Sequence, residues 1–155
     1  MKILKIIFIS SLLFVSCVKT TNNPGTEKSA TYIETEEFTK MGYPFSQAVQ
    51  YGDMLYLSGQ VGDLGNSDVL VEGGIMEQTH QAMLNIKKVL EDNGSSLDNV
   101  VKCTCMLADI KDWGDMSKEY VKFFPNHKPA RSAFATNGLA LGALVEIECM
   151  AYIKK

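Results

Sequence analysis

The chain has 155 residues, 15 basic and 18 acidic, for a net charge of −3. That length fits one domain plus an appendage, and an acidic balance with no basic cluster excludes a surface built to grip nucleic-acid phosphates. Arg131 is the sole arginine; every other basic residue is a lysine.

The appendage is the amino terminus. Lys2 and Lys5 precede an apolar run from Ile6 to Val15, and Ser16-Cys17 follows. A charged start and an apolar stretch of this length are those of a secretory signal, too short for an ordinary membrane-spanning helix. Leu13-Phe14-Val15-Ser16 ahead of Cys17 resembles a bacterial lipobox, with Phe14 where leucine is more usual. Residues 1–17 are therefore expected to be a lipoprotein signal peptide with a lipidated Cys17. Residues 18–30 are polar and hold Pro24-Gly25, which reads as a flexible tether. Residues 31–155 form the folded domain. The expected location is the bacterial cell envelope, periplasm-facing or at the outer membrane, with the lipid as the only membrane attachment.

Within the domain, Thr31–Glu34 suits a short edge strand. Ala48–Tyr51 and Met54–Ser58 flank Gly52-Asp53, a compact hairpin signal. Ile75, Thr79, Met83, Ile86 and Leu90 fall on one helical face, and Asn93-Gly94 stops that helix. Val101, Cys103, Cys105 and Leu107 alternate with Val100, Lys102, Thr104 and Met106, so residues 100–107 form a strand buried on at least one face. Trp113, Met116, Tyr120 and Phe123 or Phe124 make a second amphipathic helix, and Arg131–Thr136 and Leu144–Ile153 are the last strands. Two α-helices on one face of a mixed β-sheet give an α+β fold. The other face carries Thr104, Met106 and Met150, which predicts self-association.

With Cys17 set aside, Cys103, Cys105 and Cys149 are an odd number and read as buried thiols acting as small apolar side chains. His80 and His127 do not sit at ligand spacing, so no metal is expected, and no cofactor. His80 reads as structural and His127 as a solvated loop side chain. There is no Gly-x-Ser-x-Gly elbow and no phosphate loop.

What remains is Arg131 within Pro129-Ala130-Arg131-Ser132-Ala133-Phe134, followed fifteen residues on by Glu146 in Val145-Glu146-Ile147-Glu148. A guanidinium matches a carboxylate at two points, which an ammonium cannot, and a glutamate on an apolar strand can move a proton. Alternation places Glu146, Glu148 and Met150 on one strand face. On residue chemistry alone, a structural salt bridge or a solvated arginine at a strand start is the better account of Arg131.

The stretch from Pro129 to Ala151, PARSAFATNGLALGALVEIECMA, resembles the C-terminal signature of the RidA/YjgF family of reactive enamine and imine deaminases. Tyr43–Ala48 and Leu55–Val61 are similar to that family's N-terminal hairpin, Gln78–Asn85 to its first helix and Tyr120–Phe124 to the end of its second. The resemblance spans residues 31–154. It implies a RidA-like, chorismate-mutase-like sheet-and-helix fold, assembled as a homotrimer around a central barrel with sites between subunits.

The implied activity is that of a 2-iminobutanoate/2-iminopropanoate deaminase-type hydrolase. It converts small carboxylate-bearing imines or enamines, such as 2-aminoacrylate, to 2-keto acids and ammonia. Arg131 would hold the substrate carboxylate and Glu146 would activate water, with burial raising the Glu146 pKa and a nearby Arg131 lowering it. Ser58, Gly59, Phe45 and Ala133 map to positions near the substrate. Against the family pattern that this resemblance supplies, Phe45 replaces the usual tyrosine, Ala133 a frequent cysteine, and the 124–129 loop is about three residues shorter than in typical members. Those departures favour an alternative, a non-catalytic trimer that binds small carboxylates at the envelope.

Overall fold

The computed structural model describes residues 29–65 and 67–154. The expected signal peptide with Cys17 and nearly all of the expected tether lie outside the described residues.

Seven strands form one sheet. They are β1 (Ala30–Ile33), β2 (Ala48–Tyr51), β3 (Met54–Leu57), β4 (Gln60–Val61), β5 (Val100–Leu107), β6 (Ala130–Ala135) and β7 (Val145–Tyr152). Their order is β1-β2-β3-β7-β5-β6, and β4 pairs with β7 beyond the end of β3. Only the β5–β6 pair is parallel. The long helix α2 (Ile75–Asp92) and the shorter α3 (Trp113–Tyr120) cover one face, as the residue periods predict.

Two elements escaped the periodic reading. One is the six-residue helix α1 (Glu36–Met41), too short to show an apolar repeat. Its end signals are nonetheless in the chain. The Thr35 hydroxyl accepts the Phe38 N–H, Glu36 and Glu37 occupy the first turn, and Gly42 closes the helix in the left-handed region. The other is β4, whose two residues pair only because β7 runs beside them.

The core lies between the helices and the inward residues of the sheet. Leu55, Leu57, Cys103, Cys105, Leu107, Val145, Ile147 and Ala151 meet Ala82, Met83, Ile86, Leu90, Met116 and Tyr120. Strand β7 therefore alternates: Val145, Ile147, Cys149 and Ala151 are buried under the helices, while Glu146, Glu148 and Met150 face away. Two polar clasps hold α2 in place. Gln78 Oε1 accepts the Leu144 N–H at 2.8 Å, just before β7. Asn85 Nδ2 donates to the carbonyls of Val61 and Asp63, both at 3.1 Å, and to the Asp63 carboxylate at 2.7 Å. Gly62 passes so close to α2 that a Cβ there would stand 2.7 Å from the Gln78 Cα.

The cysteines depart from the expectation of three free thiols. Cys103 and Cys149 are register partners on β5 and β7, with Cα atoms 4.2 Å apart, and form a disulfide. Directly opposed antiparallel residues come this close only at non-hydrogen-bonded positions, and register is what a count of cysteines does not reveal. Cys105 remains free and buried, and burial pushes its thiol up to about 11. The uncovered sheet face carries Tyr56, Phe134 and Met150, all exposed.

Under denaturing, non-reducing conditions the folded region should present one titratable thiol, from Cys105, and three after reduction. Reduction should cost about 2–5 kcal/mol of unfolding free energy, read from denaturant unfolding with and without reductant. A count of three before reduction contradicts the pairing.

Candidate active site

The pocket begins with an irregularity between β3 and β4. Tyr56 pairs with Met150 and Gln60 with Ile147, so four steps along one strand face three along β7. One extra residue is accommodated at Ser58-Gly59, a bulge in which a side chain of the opposing strand finds room. Glu146 uses that room. A Cβ on Gly59 would overlap the Glu146 carboxylate and lie 2.7 Å from its Cδ.

A cavity of about 300 Å³ opens over this bulge, lined by Phe38, Tyr43, Phe45, Gly59, Gln60, Val61, Asp63, Asp68, Ala140, Leu141 and Glu146. Gln60 braces the bulge, donating through Nε2 to the carbonyls of Ser58 and Gly59, each at 3.2 Å. Tyr43 donates its hydroxyl to Asp68 at 2.8 Å, and that hydrogen bond raises the Tyr43 pKa to about 12. Glu146 is half-buried. Desolvation first, and then the neighbouring Glu148 charge, raise its pKa above the ordinary glutamate value. Both causes oppose ionisation, so the carboxyl holds its proton to higher pH than a solvated glutamate.

Arg131 is elsewhere. On β6 it registers with Cys103, so its side chain lies on the helix side of the sheet. Its guanidinium lies 5.0 Å from the Tyr120 ring centre and 5.3 Å from that of Trp113, and Nη2 donates to Ser117 Oγ at 3.0 Å. Two aromatic faces and a hydroxyl orient the cation, and among the described residues it makes no ion pair. Glu146 registers with Met106, three residues further along β5 and on the opposite face. Within one chain, then, Arg131 and Glu146 do not converge. Within the chain Arg131 contributes nothing to the Glu146 pKa, because the sheet stands between them.

The other sequence candidates divide. Gly59 and Phe45 line the pocket. Ser58 does not; its hydroxyl donates to the Ser46 carbonyl at 2.7 Å, a strand-end bond. Ala133 lies beside Cys105 on the Arg131 side, away from the cavity. His127 packs on Phe124, 6.1 Å between ring centres, in place of the solvated position expected of it. His80 holds Glu119 at 2.9 Å on the far side of α2 and α3. Sequence reading missed Phe38, Tyr43, Gln60, Asp68 and Leu141. Only Gln60, adjacent to Gly59 in Leu57-Ser58-Gly59-Gln60, carried a local signal.

This fold and this placement of a glutamate over a glycine bulge can be set beside known proteins. Residues 37–153 match the family described as endoribonuclease L-PSP. A protein of Mus musculus named 2-iminobutanoate/2-iminopropanoate deaminase is 43% identical over 108 residues, covering 70% of this chain and 80% of that one. The chain belongs to the RidA/YjgF family. An Arabidopsis thaliana protein named Reactive Intermediate Deaminase A, chloroplastic, is 35% identical over 119 residues, 77% of this chain and 64% of that one. The crystal structure of RidA from an Antarctic Psychrobacter superposes with a TM-score of 0.66 at 36% identity, covering 72% of this chain and 89% of the other. The RidA-like sheet with two covering helices is thus the fold that the residue pattern predicts.

Substituting Gly59→Ala should drive the Glu146 carboxylate out of the bulge into water. Its pKa should then fall toward that of an ordinary glutamate, as measured by carboxyl-carbon NMR titration. An unshifted midpoint would show that Gly59 is not what seats the acid.

Proposed function

We propose that this protein hydrolyses small 2-imino acids, or the enamines in equilibrium with them, to 2-keto acids and ammonia. The observation that carries the reading is a division of charge. The Glu146 pocket is lined by three acids, Asp63, Asp68 and Glu146, and by no cation, while Arg131 waits on the opposite face without an acid partner. A carboxylate-bearing substrate finds its counter-charge at Glu146 only if a second copy of the chain brings Arg131. The family relationship, with relatives named as imine deaminases at about 40% identity, supports the same chemistry.

In the assembled site, Arg131 of one copy grips the substrate carboxylate two-point and Glu146 of the next faces the imine carbon. Water adds to that carbon as Glu146 accepts its proton. That proton passes to nitrogen to give the carbinolamine; Glu146 then carries the hydroxyl proton to nitrogen as well, the C–N bond breaks, and ammonia leaves as the carbonyl forms. No cofactor is needed, because the imine carbon is already electrophilic. Burial makes Glu146 a stronger base than a solvated glutamate, a property that simple carboxylate capture would not use. RNA cleavage, which the family description names, is a poorer fit, since a phosphate backbone would meet those same three acids.

The assembly we infer is a homotrimer closed around the uncovered sheet face, where Tyr56, Phe134 and Met150 would be removed from water. The lipidated Cys17, the tether over residues 18–30 and the envelope location belong to the same proposal, on the strength of the lipobox-like Leu13–Cys17 segment. No helix among the described residues is long and apolar enough to cross a membrane.

Imines generated in situ by an amino-acid oxidase test the chemistry. Arg131→Ala and Glu146→Gln should each abolish keto-acid release. Co-expressed in equal amounts, the two variants should recover about a quarter of wild-type activity, the share of interfaces that receive one intact residue from each side. Wild-type rates in either variant would overturn the assignment, and no recovery on mixing would place both residues of a site on one chain. The acid limb of kcat/KM should follow the ionisation of Glu146, since the ionised carboxyl is the base. Glu148→Gln should move that limb to lower pH by removing the repelling charge.

A further inference from the structure

We propose that the aromatic wall of the Glu146 pocket is a side-chain subsite, selecting imino acids with a bulky apolar side chain over those carrying methyl or ethyl. This rests on the deaminase reading and names its substrate class.

The wall is three rings that fix one another. Phe38, only 5% exposed, meets Tyr43 and Phe45 edge-on at 5.3 and 5.8 Å, and Tyr43 and Phe45 stack in parallel at 5.3 Å. Such interlocked aromatics form a rigid apolar surface. The Tyr43 hydroxyl is drawn to Asp68, which pins that ring as well.

The same cavity is lined by Leu141, from the turn that leads into β7. Its backbone lies at φ 58°, ψ 9°, and among the described residues it is the one non-glycine with positive φ. A leucine there is strained, because its Cβ crowds the backbone. The reward for that strain is not burial: Leu141 is 48% exposed and Phe45 49%. In the single chain, two large apolar side chains thus stand exposed around one cavity that has a proton-carrying acid on its floor. A methyl group on the imine carbon would cover little of a cavity of about 300 Å³, whereas a benzyl or isobutyl group would take both side chains out of water.

The test compares kcat/KM of the purified full chain for imines made from phenylalanine and leucine with those made from alanine and 2-aminobutyrate. The first pair should be favoured by about tenfold or more. Leu141→Gly, whose backbone accepts this φ without strain, and Phe45→Ala should each bring the ratio toward one. Equal or better turnover of the small imines, or a ratio unmoved by Leu141→Gly, would overturn the subsite.

If no imine is turned over, the deaminase reading fails by itself, and calorimetric binding of phenylpyruvate and pyruvate decides the subsite alone. Tighter phenylpyruvate binding that Leu141→Gly weakens upholds it; equal affinities reject it, as they would if a neighbouring copy filled the wall.

Discussion

Strand β7 has to satisfy a buried core on one face and carry a chargeable acid on the other, and the pocket follows from how its neighbour yields to that demand. Val145, Ile147, Cys149 and Ala151 are fixed under the helices, so Glu146 has no freedom to turn away. A regular strand beside it would crowd the carboxylate. The extra residue at Ser58-Gly59 bends that strand, and the missing Cβ of Gly59 leaves the space that Glu146 fills. Partial burial in this seat, with Glu148 two residues along the same face, is what makes the acid reluctant to ionise. Packing, geometry and proton affinity are here one constraint seen at three levels.

In the proposed assembly, the charge arrangement extends that logic beyond a single chain. Arg131 is held by the rings of Trp113 and Tyr120 and by Ser117, all on α3, so the second helix serves as a mount for the cation as well as a cover for the core. Its orientation is set by apolar faces that leave its charge uncompensated. An acidic pocket and an uncompensated cation on opposite faces of one sheet are complementary halves, and the exposed Tyr56, Phe134 and Met150 supply an apolar reason for copies to meet. The Cys103–Cys149 bond reinforces this framework. Cys103 registers with Arg131 on one side and is joined to β7 on the other, so the strands bearing the two halves share one covalently tied neighbour.

The departure that the family resemblance implies at Phe45 also takes on a different sense in three dimensions. Read linearly, it is a loss. In the fold, Phe45 stacks on Tyr43, whose hydroxyl is engaged by Asp68, and both pack on Phe38 from a helix too short to show a repeat. The position has become part of an apolar wall. Because the 124–129 loop lies off this cavity, the apolar wall on the Glu146 side is built from residues before β2 and the turn before β7.

By itself, the sequence determined the alternation of β7 and of β5 from Lys102 onward, the two amphipathic helices and the glycine at 59. These are local or periodic properties, dictated by side-chain spacing of two or 3.6 residues. Only the tertiary structure decided that Arg131 and Glu146 lie on opposite faces and that Cys103 meets Cys149. It alone placed Phe38, Tyr43, Asp68 and Leu141 around one acid. Strand order and register, set by how the whole core packs, bring distant residues together, and a one-residue bulge or a change of neighbour alters them without leaving a mark in local periodicity.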